Sequence, residues 1–350
     1  MNITFLIGNG FDLNLGLKTG YTDFYKYYIQ QLPDDMIVKS IIKETGTYKL
    51  WSDLELGLGS FLQEIDDNHI EDFLNSKANL ERYLTKYLIQ EDKKIFIKDK
   101  QALLEEFKNA VINFYKEFSL EERNRYKSYL SSESNSIVYT FINFNYTSSL
   151  DKIVEIAAKD TKPFSSHKCS SYTNEKLDNI GNVLHIHGDL NKGIIIGVND
   201  ESQIKNDTLM NNTDLTDYII KSKLNAAIGE LKQQTAFEKI NNSKYVCVYG
   251  LSIGDTDNIW WSKIIEWLIK SPDHKLVLYI YKETSIQYSV QEQVRFSNNQ
   301  KMKIIDKNIK LDKQTKANIR NQVIVIPNSE IFNFKNIGVK QNGKVENADI

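Results

Sequence analysis

This chain contains six short apolar runs, and each ends abruptly in polar or glycine-containing sequence. The runs are rich in β-branched and aromatic residues, as buried strands are. They cover residues 2–7, 136–142, 182–187, 244–250, 275–281 and 322–327. Helical patterns alternate with them, and near-continuous apolar strands that alternate with helices indicate a parallel sheet covered on both faces. The sequence therefore predicts an α/β fold.

Residues 21–130 interrupt this alternation. They contain several helical patterns, such as IEDFLNSKANLERYLTKYLI and ALLEEFKNAVINFYKEF, and no convincing strand. We interpret the segment as a helical insertion that caps one end of the sheet. The expected organisation is a sheet core in residues 1–20 and 131–335, a helical insertion or cap in residues 21–130, and a polar C-terminal tail in residues 336–350.

The composition of the chain limits the kinds of partner that it is expected to bind. The 350 residues carry 44 Lys and Arg against 46 Asp and Glu, so a net charge of −2 gives no global attraction to nucleic acid or anionic lipid. Basic residues cluster in 301–320, but a solvated helix face explains that cluster, and nucleic acid is an unlikely partner on this pattern. Two cysteines exclude a disulfide framework, and no apolar stretch reaches the length of about 20 residues that spans a bilayer. We expect a cytoplasmic protein without a membrane partner.

The first apolar run leads into a tight turn, Gly8-Asn9-Gly10. In a doubly wound sheet the first strand delivers the chain to the carboxyl edge, where glycines let the backbone approach a phosphate and the next helix points its amides at the anion. Leu13 stands where the common dinucleotide fingerprint has its third glycine. A tight strand-to-helix turn with Asp12 at the helix start is the alternative.

Three later strands also end in polar sequence. The second predicted strand leads into NFNYT (143–147), the third ends in HIHGDL (185–190), and the fourth ends in GLSIGDTD (250–257). Open parallel sheets build their binding sites at the carboxyl ends of the strands. These segments are therefore candidate parts of one site, although an Asn after a strand can also serve only as a turn former.

The same segments carry a family resemblance. LIGNGFDLNLGLKTGYTDF, WSDLE (51–55), NFNYT, HIHGDL and YGLSIGDTDN resemble the successive blocks of the AbiH family, bacterial proteins associated with abortive infection against bacteriophage. That family is similar in turn to sirtuin-like NAD-binding domains of defence effectors that hydrolyse NAD. The resemblance implies a Rossmann-like (sirtuin-like) parallel sheet with helices on both faces and a large helical insertion after the first strand.

The resemblance also implies roles for individual residues. Asn145 would contact the nicotinamide ribose and its water, and His187 would be the catalytic base. The implied NAD-binding residues are Gly8, Asn9, Gly10, Asp12, Asn143, Tyr146, Gly188, Gly250, Ser252 and Asp255. Thr147 departs from the acidic residue of the sirtuin block, and the cysteine pairs of a sirtuin zinc ribbon are absent. These departures argue against protein deacylation and leave a simpler NAD-cleaving pocket.

The chemistry of NAD cleavage fits these residue types. Breaking the bond between nicotinamide and ribose passes through an oxocarbenium-like state. The nicotinamide ring is already cationic in NAD and leaves as a neutral molecule with the bonding electron pair, so no strong acid is required. The site must hold the pyrophosphate, orient the ribose hydroxyls and position water, which suits backbone amides, an Asn and a His of near-neutral pKa. Glu55 and Asp12 are available to stabilise the developing positive charge.

The predicted function is that of an antiphage (abortive infection) effector that binds NAD as substrate or ligand and cleaves it, with no metal expected. We also expect a phage-derived trigger, and a partner that is either a second copy of the chain or another protein of the defence system.

Two alternatives remain on the sequence alone. The glycine loops would also serve a nucleotide-sensing or interaction protein that binds without turnover, because fold does not fix function. HIHGD also fits the start of a metal-binding pattern, since His185 and His187 would project from one face of a strand. With Asp189, and with His167 or Cys169, they would form the site of a metal-dependent hydrolase.

Overall fold

The computed structural model describes residues 1–32, 34–43, 51–160, 162–171, 175–227, 231–281, 289–307, 311–334 and 337–339. The strands among them are β1 (Asn2–Ile7), β2 (Ile95–Ile97), β3 (Val138–Asn143), β4 (Ser165–His167), β5 (Lys176–His185), β6 (Gly188–Asp189), β7 (Gly193–Ile194), β8 (Ser243–Tyr249), β9 (Lys275–Ile280), β10 (Val323–Pro327) and β11 (Ile337–Val339). The helices are α1 (Gly10–Asn14), α2 (Tyr21–Gln31), α3 (Met36–Lys43), α4 (Trp51–Phe61), α5 (Ile70–Asp92), α6 (Lys100–Ile112), α7 (Leu120–Ser132), α8 (Ser149–Ala158), α9 (Thr213–Ile219), α10 (Lys221–Ala227), α11 (Lys232–Asn241), α12 (Asn258–Lys270), α13 (Val290–Ile305) and α14 (Lys313–Gln322).

Within the described residues, seven strands form one sheet in the order β10-β9-β8-β1-β3-β5-β4. Neighbouring strands are parallel except for the edge pair β4–β5. β1 lies between β3 and β8, and Ile7 at its end is level with Asn143 of β3 and Tyr249 of β8. The segments that follow these three strands therefore leave the same edge of the sheet side by side. The predicted α/β fold and its six strands are confirmed, with shifted boundaries.

The two faces of β1 explain why its sequence is apolar without alternation. Phe5 packs in a core with Phe107 of α6, whereas Leu6 packs in a second core, on the other face, with Trp267 of α12. Successive side chains of a strand point to opposite faces, so a strand covered on both sides must be apolar at every position.

A third core lies in the helical part of the chain. It unites apolar side chains of α2, α3, α4 and α5 with residues between Ile196 and Ile220, whereas α6 and α7 pack against the sheet.

Within the predicted helical insertion, β2 is an unpredicted strand that pairs with β11, across more than half of the sequence. A three-residue strand leaves no periodic pattern, and its partner lies in the predicted tail, of which residues 340–350 are outside the described part. In that described part, no helix has the length and apolar character needed to cross a membrane.

Candidate functional site

A cavity of about 770 Å³ opens at the carboxyl edge of the sheet. This volume lies in the range of about 300–1,000 Å³ that is usual for small-molecule sites. The predicted site residues in its wall are Asn9, Gly10, Asp12, Asn145, Tyr146, His187, Gly250 and Ser252. Gly8, Asn143 and Gly188 do not line the cavity, and the side chain of Asp255 is outside the described part. Loops that are distant in sequence thus converge, while the predicted binding and catalytic roles stay predictions.

The Gly8-Asn9-Gly10 turn packs directly against the loop that follows β8. A Cβ atom on Gly10 would lie 2.5 Å from the Cα of Gly250, and one on Gly8 would lie 2.6 Å from the Gly250 oxygen. The N–H groups of Gly8 and Gly10 donate to the carbonyls of Tyr249 and Gly250, both at 2.9 Å. These glycines are therefore required by the contact between two backbones. Their amides are already used within the chain, so they do not fit the expected grip on a phosphate.

Unused amides lie instead in the loop that follows β8. In the described part of the chain, the N–H groups of residues 251–254 donate no hydrogen bond, and all four residues line the cavity. The loop leads through a short 3₁₀ turn into α12. Backbone N–H groups that the chain itself does not use can bind an anion. The sequence pointed to Gly250 and Ser252 here, although it could not show which amides are free.

Three hydrogen bonds hold Asn145. Its N–H donates to Oδ1 of Asn143 at 3.0 Å, its carbonyl oxygen is 2.8 Å from Nδ1 of His185, and its Nδ2 donates to the Gly8 oxygen at 3.1 Å. A carbonyl oxygen can only accept, so the side-chain atom beside Gly8 must be the amide nitrogen. This orientation leaves Oδ1 of Asn145 to accept a hydrogen bond in the cavity. Asn143 is fully buried and positions the turn.

His187 is only 9 % exposed, and its Nδ1 is buried without a hydrogen-bond partner among the described residues. Its Nε2 lies 3.8 Å from Oδ1 of Asp257. Burial and the nearby Lys221 ammonium lower the pKa of His187, against the opposing effect of Asp257. The imidazole is therefore neutral near pH 7. Because the carboxylate favours a proton on Nε2, Nδ1 is left as an acceptor.

A buried ion pair lies beside this histidine. Nζ of Lys221, at the start of α10, is 2.7 Å from Oε1 of Glu55 in α4, and both side chains are buried and line the cavity. Burial raises the pKa of Glu55 while Lys221 opposes the shift. Burial alone would also raise the pKa of Asp257, but His187 and Lys221 hold it below its ordinary value. The sequence suggested Glu55 but missed Lys221, because no local pattern marks one lysine of a short helix as buried.

The carboxylate of Asp12 is hydrogen-bonded inside the turn region. It accepts hydrogen bonds from the hydroxyls of Thr147, at 2.6 Å, and Ser149. Burial raises the pKa of Asp12 to about 6, although both hydroxyls act to lower it. An acidic residue in place of Thr147 would bring a second carboxylate into contact with Asp12, and two carboxylates in contact repel each other.

Gly188 and Tyr146 have structural roles as well. Gly188 has a φ of +79°, and a Cβ atom there would lie 2.0 Å from the oxygen of Gly193 across the β6–β7 hairpin. The hydroxyl of Tyr146 donates to the carbonyl of Ile195 at 3.1 Å. Gly188 thus allows the hairpin to form, and the Tyr146 hydroxyl holds the segment that follows His187 against the turn that carries Asn145.

The geometry does not support the metal alternative. β5 ends at His185, so His187 lies beyond the strand and the same-face argument does not apply. Both ring nitrogens of His185 are occupied, Nδ1 by the Asn145 oxygen and Nε2 by Oδ2 of Asp151, each at 2.8 Å. Asp189 accepts hydrogen bonds from backbone amides of its own turn. The described residues contain no group of three or more His, Cys, Asp or Glu arranged to hold a metal ion.

Comparison with known proteins connects this arrangement to a family. Residues 4–280 match the family described as bacteriophage abortive infection AbiH. The chain belongs to the AbiH family. The match runs from β1 to the end of β9, so it includes the strand ends around the cavity, and it confirms the resemblance to AbiH seen in the sequence. Membership in AbiH assigns the chain to abortive infection, a defence against bacteriophage. No curated protein matches the chain.

Proposed function

We propose that this AbiH protein acts in abortive infection by binding NAD in the cavity and cleaving the bond between nicotinamide and ribose. The observation that carries the proposal is Nδ1 of His187, an acceptor that is buried and unpaired among the described residues, on a cavity wall that also includes Asn145. Buried polar atoms are nearly always hydrogen-bonded, so an unpaired one at a cavity indicates a ligand.

The strand order supports a dinucleotide as that ligand. If the six parallel strands are numbered by their order in the chain, they lie in the sheet as 6-5-4-1-2-3. Rossmann-type sheets have this order, and they bind dinucleotides at the point where the order reverses. Here that point is β1, and the cavity opens at its carboxyl end. The topology thus supports the proposal of a Rossmann-like core.

Separate parts of the wall suit separate parts of NAD. The amides of residues 251–254, which donate no hydrogen bond among the described residues, suit the pyrophosphate, because unused backbone N–H groups can bind anions. Oδ1 of Asn145 suits a ribose hydroxyl or a water molecule, since its amide nitrogen is bonded to Gly8. The first glycine turn contributes the close packing that brings these two parts together.

Cleavage then requires a positioned water molecule and an acceptor for its proton. Asn145 orients the water through Oδ1, and neutral His187 accepts the proton at Nδ1. Asp257, beside Nε2, stabilises the imidazolium that results. The lowered pKa keeps the histidine in its accepting form near neutral pH. General base catalysis of this kind contributes roughly 10²- to 10⁴-fold to a rate.

The experiment is to incubate the purified protein with NAD, NADP and other nucleotides and to measure nicotinamide by mass spectrometry. Because a phage-derived trigger is part of the proposal, each reaction is run with and without lysate of infected cells. We expect nicotinamide release that a chelator does not affect. His187→Ala and Asn145→Ala should each lose about 100-fold or more of this activity. His69→Ala, which removes an exposed histidine, is the matched control and should retain it.

Other outcomes separate the alternatives. Unchanged nicotinamide release in the His187 or Asn145 variant would rule out the proposed mechanism. Tight retention of NAD without product would indicate a nucleotide sensor. Chelator-sensitive hydrolysis of another bond would indicate a metal-dependent hydrolase.

A further inference from the structure

A second buried polar group on the cavity wall has no partner in the part of the chain that is described. Trp261 is 0 % exposed, its side chain lines the cavity, and its indole N–H donates no hydrogen bond. Trp267, on the same helix, is equally buried but donates its indole N–H to the Ser243 carbonyl at 3.0 Å. Buried indole N–H groups usually have such an acceptor. The exception at Trp261 therefore requires an explanation.

The position of Trp261 connects it to the predicted catalytic histidine. Trp261 lies in the first turn of α12, and Asp257, the residue directly before that helix, lies beside His187. The buried side chains of Val248 and Leu278 line the cavity as well. The wall thus combines apolar surface with one hydrogen-bond donor, which suits a flat heterocyclic ring that carries an acceptor.

We propose that Trp261 is a specificity-determining residue whose indole N–H donates a hydrogen bond to an acceptor on a base of the bound dinucleotide. This inference rests on the proposed function in that it takes NAD as the ligand. Nicotinamide offers its carboxamide oxygen, and adenine offers its ring nitrogens. In an apolar, water-poor environment, a ligand without such an acceptor leaves the donor unpaired and binds less tightly.

The test uses Trp261→Phe, which keeps an aromatic ring and removes the donor. Dissociation constants for NAD, nicotinamide mononucleotide and ADP are measured by calorimetry, with His187→Ala as the common background so that NAD is not consumed. We expect NAD to bind about three- to tenfold more weakly to the Trp261 variant. The mononucleotide or ADP should weaken by the same factor, which identifies the base that is recognised. Trp260→Phe is the matched control, because Trp260 packs on Phe144 and Phe237, and NAD affinity should not change.

A second measurement does not depend on how well the Trp261 variant folds. In His187→Ala protein labelled with ¹⁵N, titration with ADP or nicotinamide mononucleotide should move the indole N–H resonance of Trp261 and leave that of Trp267 in place. The inference is overturned if Trp261→Phe changes the affinity of the His187→Ala background for NAD by less than about twofold. It is also overturned if no ligand moves the Trp261 resonance.

The two proposals fail in different ways. If NAD binds through Trp261 and the parent protein releases no nicotinamide, the hydrolysis proposal fails while the inference holds. If Trp261→Phe in the parent protein hydrolyses NAD with an unchanged KM, the inference fails while hydrolysis holds.

Discussion

Replacing Lys221 by methionine isolates the energetic role of the buried ion pair at the site. Methionine keeps a long apolar side chain and removes the ammonium group that lies 2.7 Å from Glu55. The carboxylate of Glu55 would then be buried without its cation. Removing one partner of a buried pair costs up to about 3–5 kcal/mol because an uncompensated charge remains. Burial already raises the pKa of Glu55 to about 7 in the parent, so proton uptake by Glu55 limits the loss, and we expect the free energy of unfolding near pH 8 to fall by about 1–2 kcal/mol.

The pH dependence of this loss has a defined sign. Burial already raises the pKa of Glu55, and Lys221 is the largest opposing influence, so its removal raises that pKa further. A carboxyl group with a raised folded-state pKa stabilises the fold below its unfolded pKa, and this contribution is lost as the pH rises through the folded value. Glu55 in the variant can therefore take up a proton in acid. Since the pKa of Glu55 in the parent is about 7, the deficit relative to the parent should be small at about pH 4 and should develop only above about pH 7.

Urea unfolding followed by circular dichroism at both pH values measures the deficit. Lys223→Met is the matched control: Lys223 lies on the same helix, its side chain is 34 % exposed, and it pairs with exposed Asp217, so its loss should cost less than about 1 kcal/mol. The double variant Glu55→Gln, Lys221→Met carries no unpaired charge and should recover part of the stability. A deficit below about 1 kcal/mol for Lys221→Met at pH 8, or one that grows in acid, would refute the reasoning.

Three further substitutions test other contacts of the site. Gly10→Ala places a Cβ atom 2.5 Å from the Cα of Gly250, so the two loops must separate; urea unfolding should show a loss of about 1–3 kcal/mol. Burial raises the pKa of Asp12 to about 6 from 3.8, which stabilises the parent in acid and removes about 3 kcal/mol as the pH rises through that window. Asp12→Asn should lack this fall when the free energy of unfolding is measured against pH. Burial alone would lower the pKa of His185, but its hydrogen bond to Asp151 holds the pKa above its ordinary value. The stabilisation by this imidazolium is lost as the pH rises through the raised pKa, and Asp151→Asn should lower the pKa found by NMR titration of His185.

Much of the sheet could be predicted because strands buried on both faces leave continuous apolar runs. The rule that parallel sheets build sites at their carboxyl ends was enough to bring Asn145, His187 and Gly250 to one cavity. Helical patterns were predicted between the strands as well, and α12, Asn258–Lys270, lies between the fourth and fifth predicted strands. These features depend on local sequence together with one general rule of topology.

The contacts between distant segments could not be predicted in this way. Whether Gly10 approaches a phosphate or another backbone depends on Gly250, which lies far away in the sequence. Lys221 and Trp261 resemble ordinary surface and core residues until the fold places them on the cavity wall. Their burial and their partners depend on the packing of separate segments, which a single sequence does not display.

The rate of nicotinamide release from NAD as a function of pH, in the parent protein and in His187→Ala side by side, tests the central claim most directly. Because the pKa of His187 lies below its ordinary 6.5, the account predicts full parent activity at about pH 7 to 8, a decline in acid as the imidazole is protonated, and no comparable release from the variant. Equal release by the two proteins, or intact NAD in every reaction with and without infected-cell lysate, would contradict it.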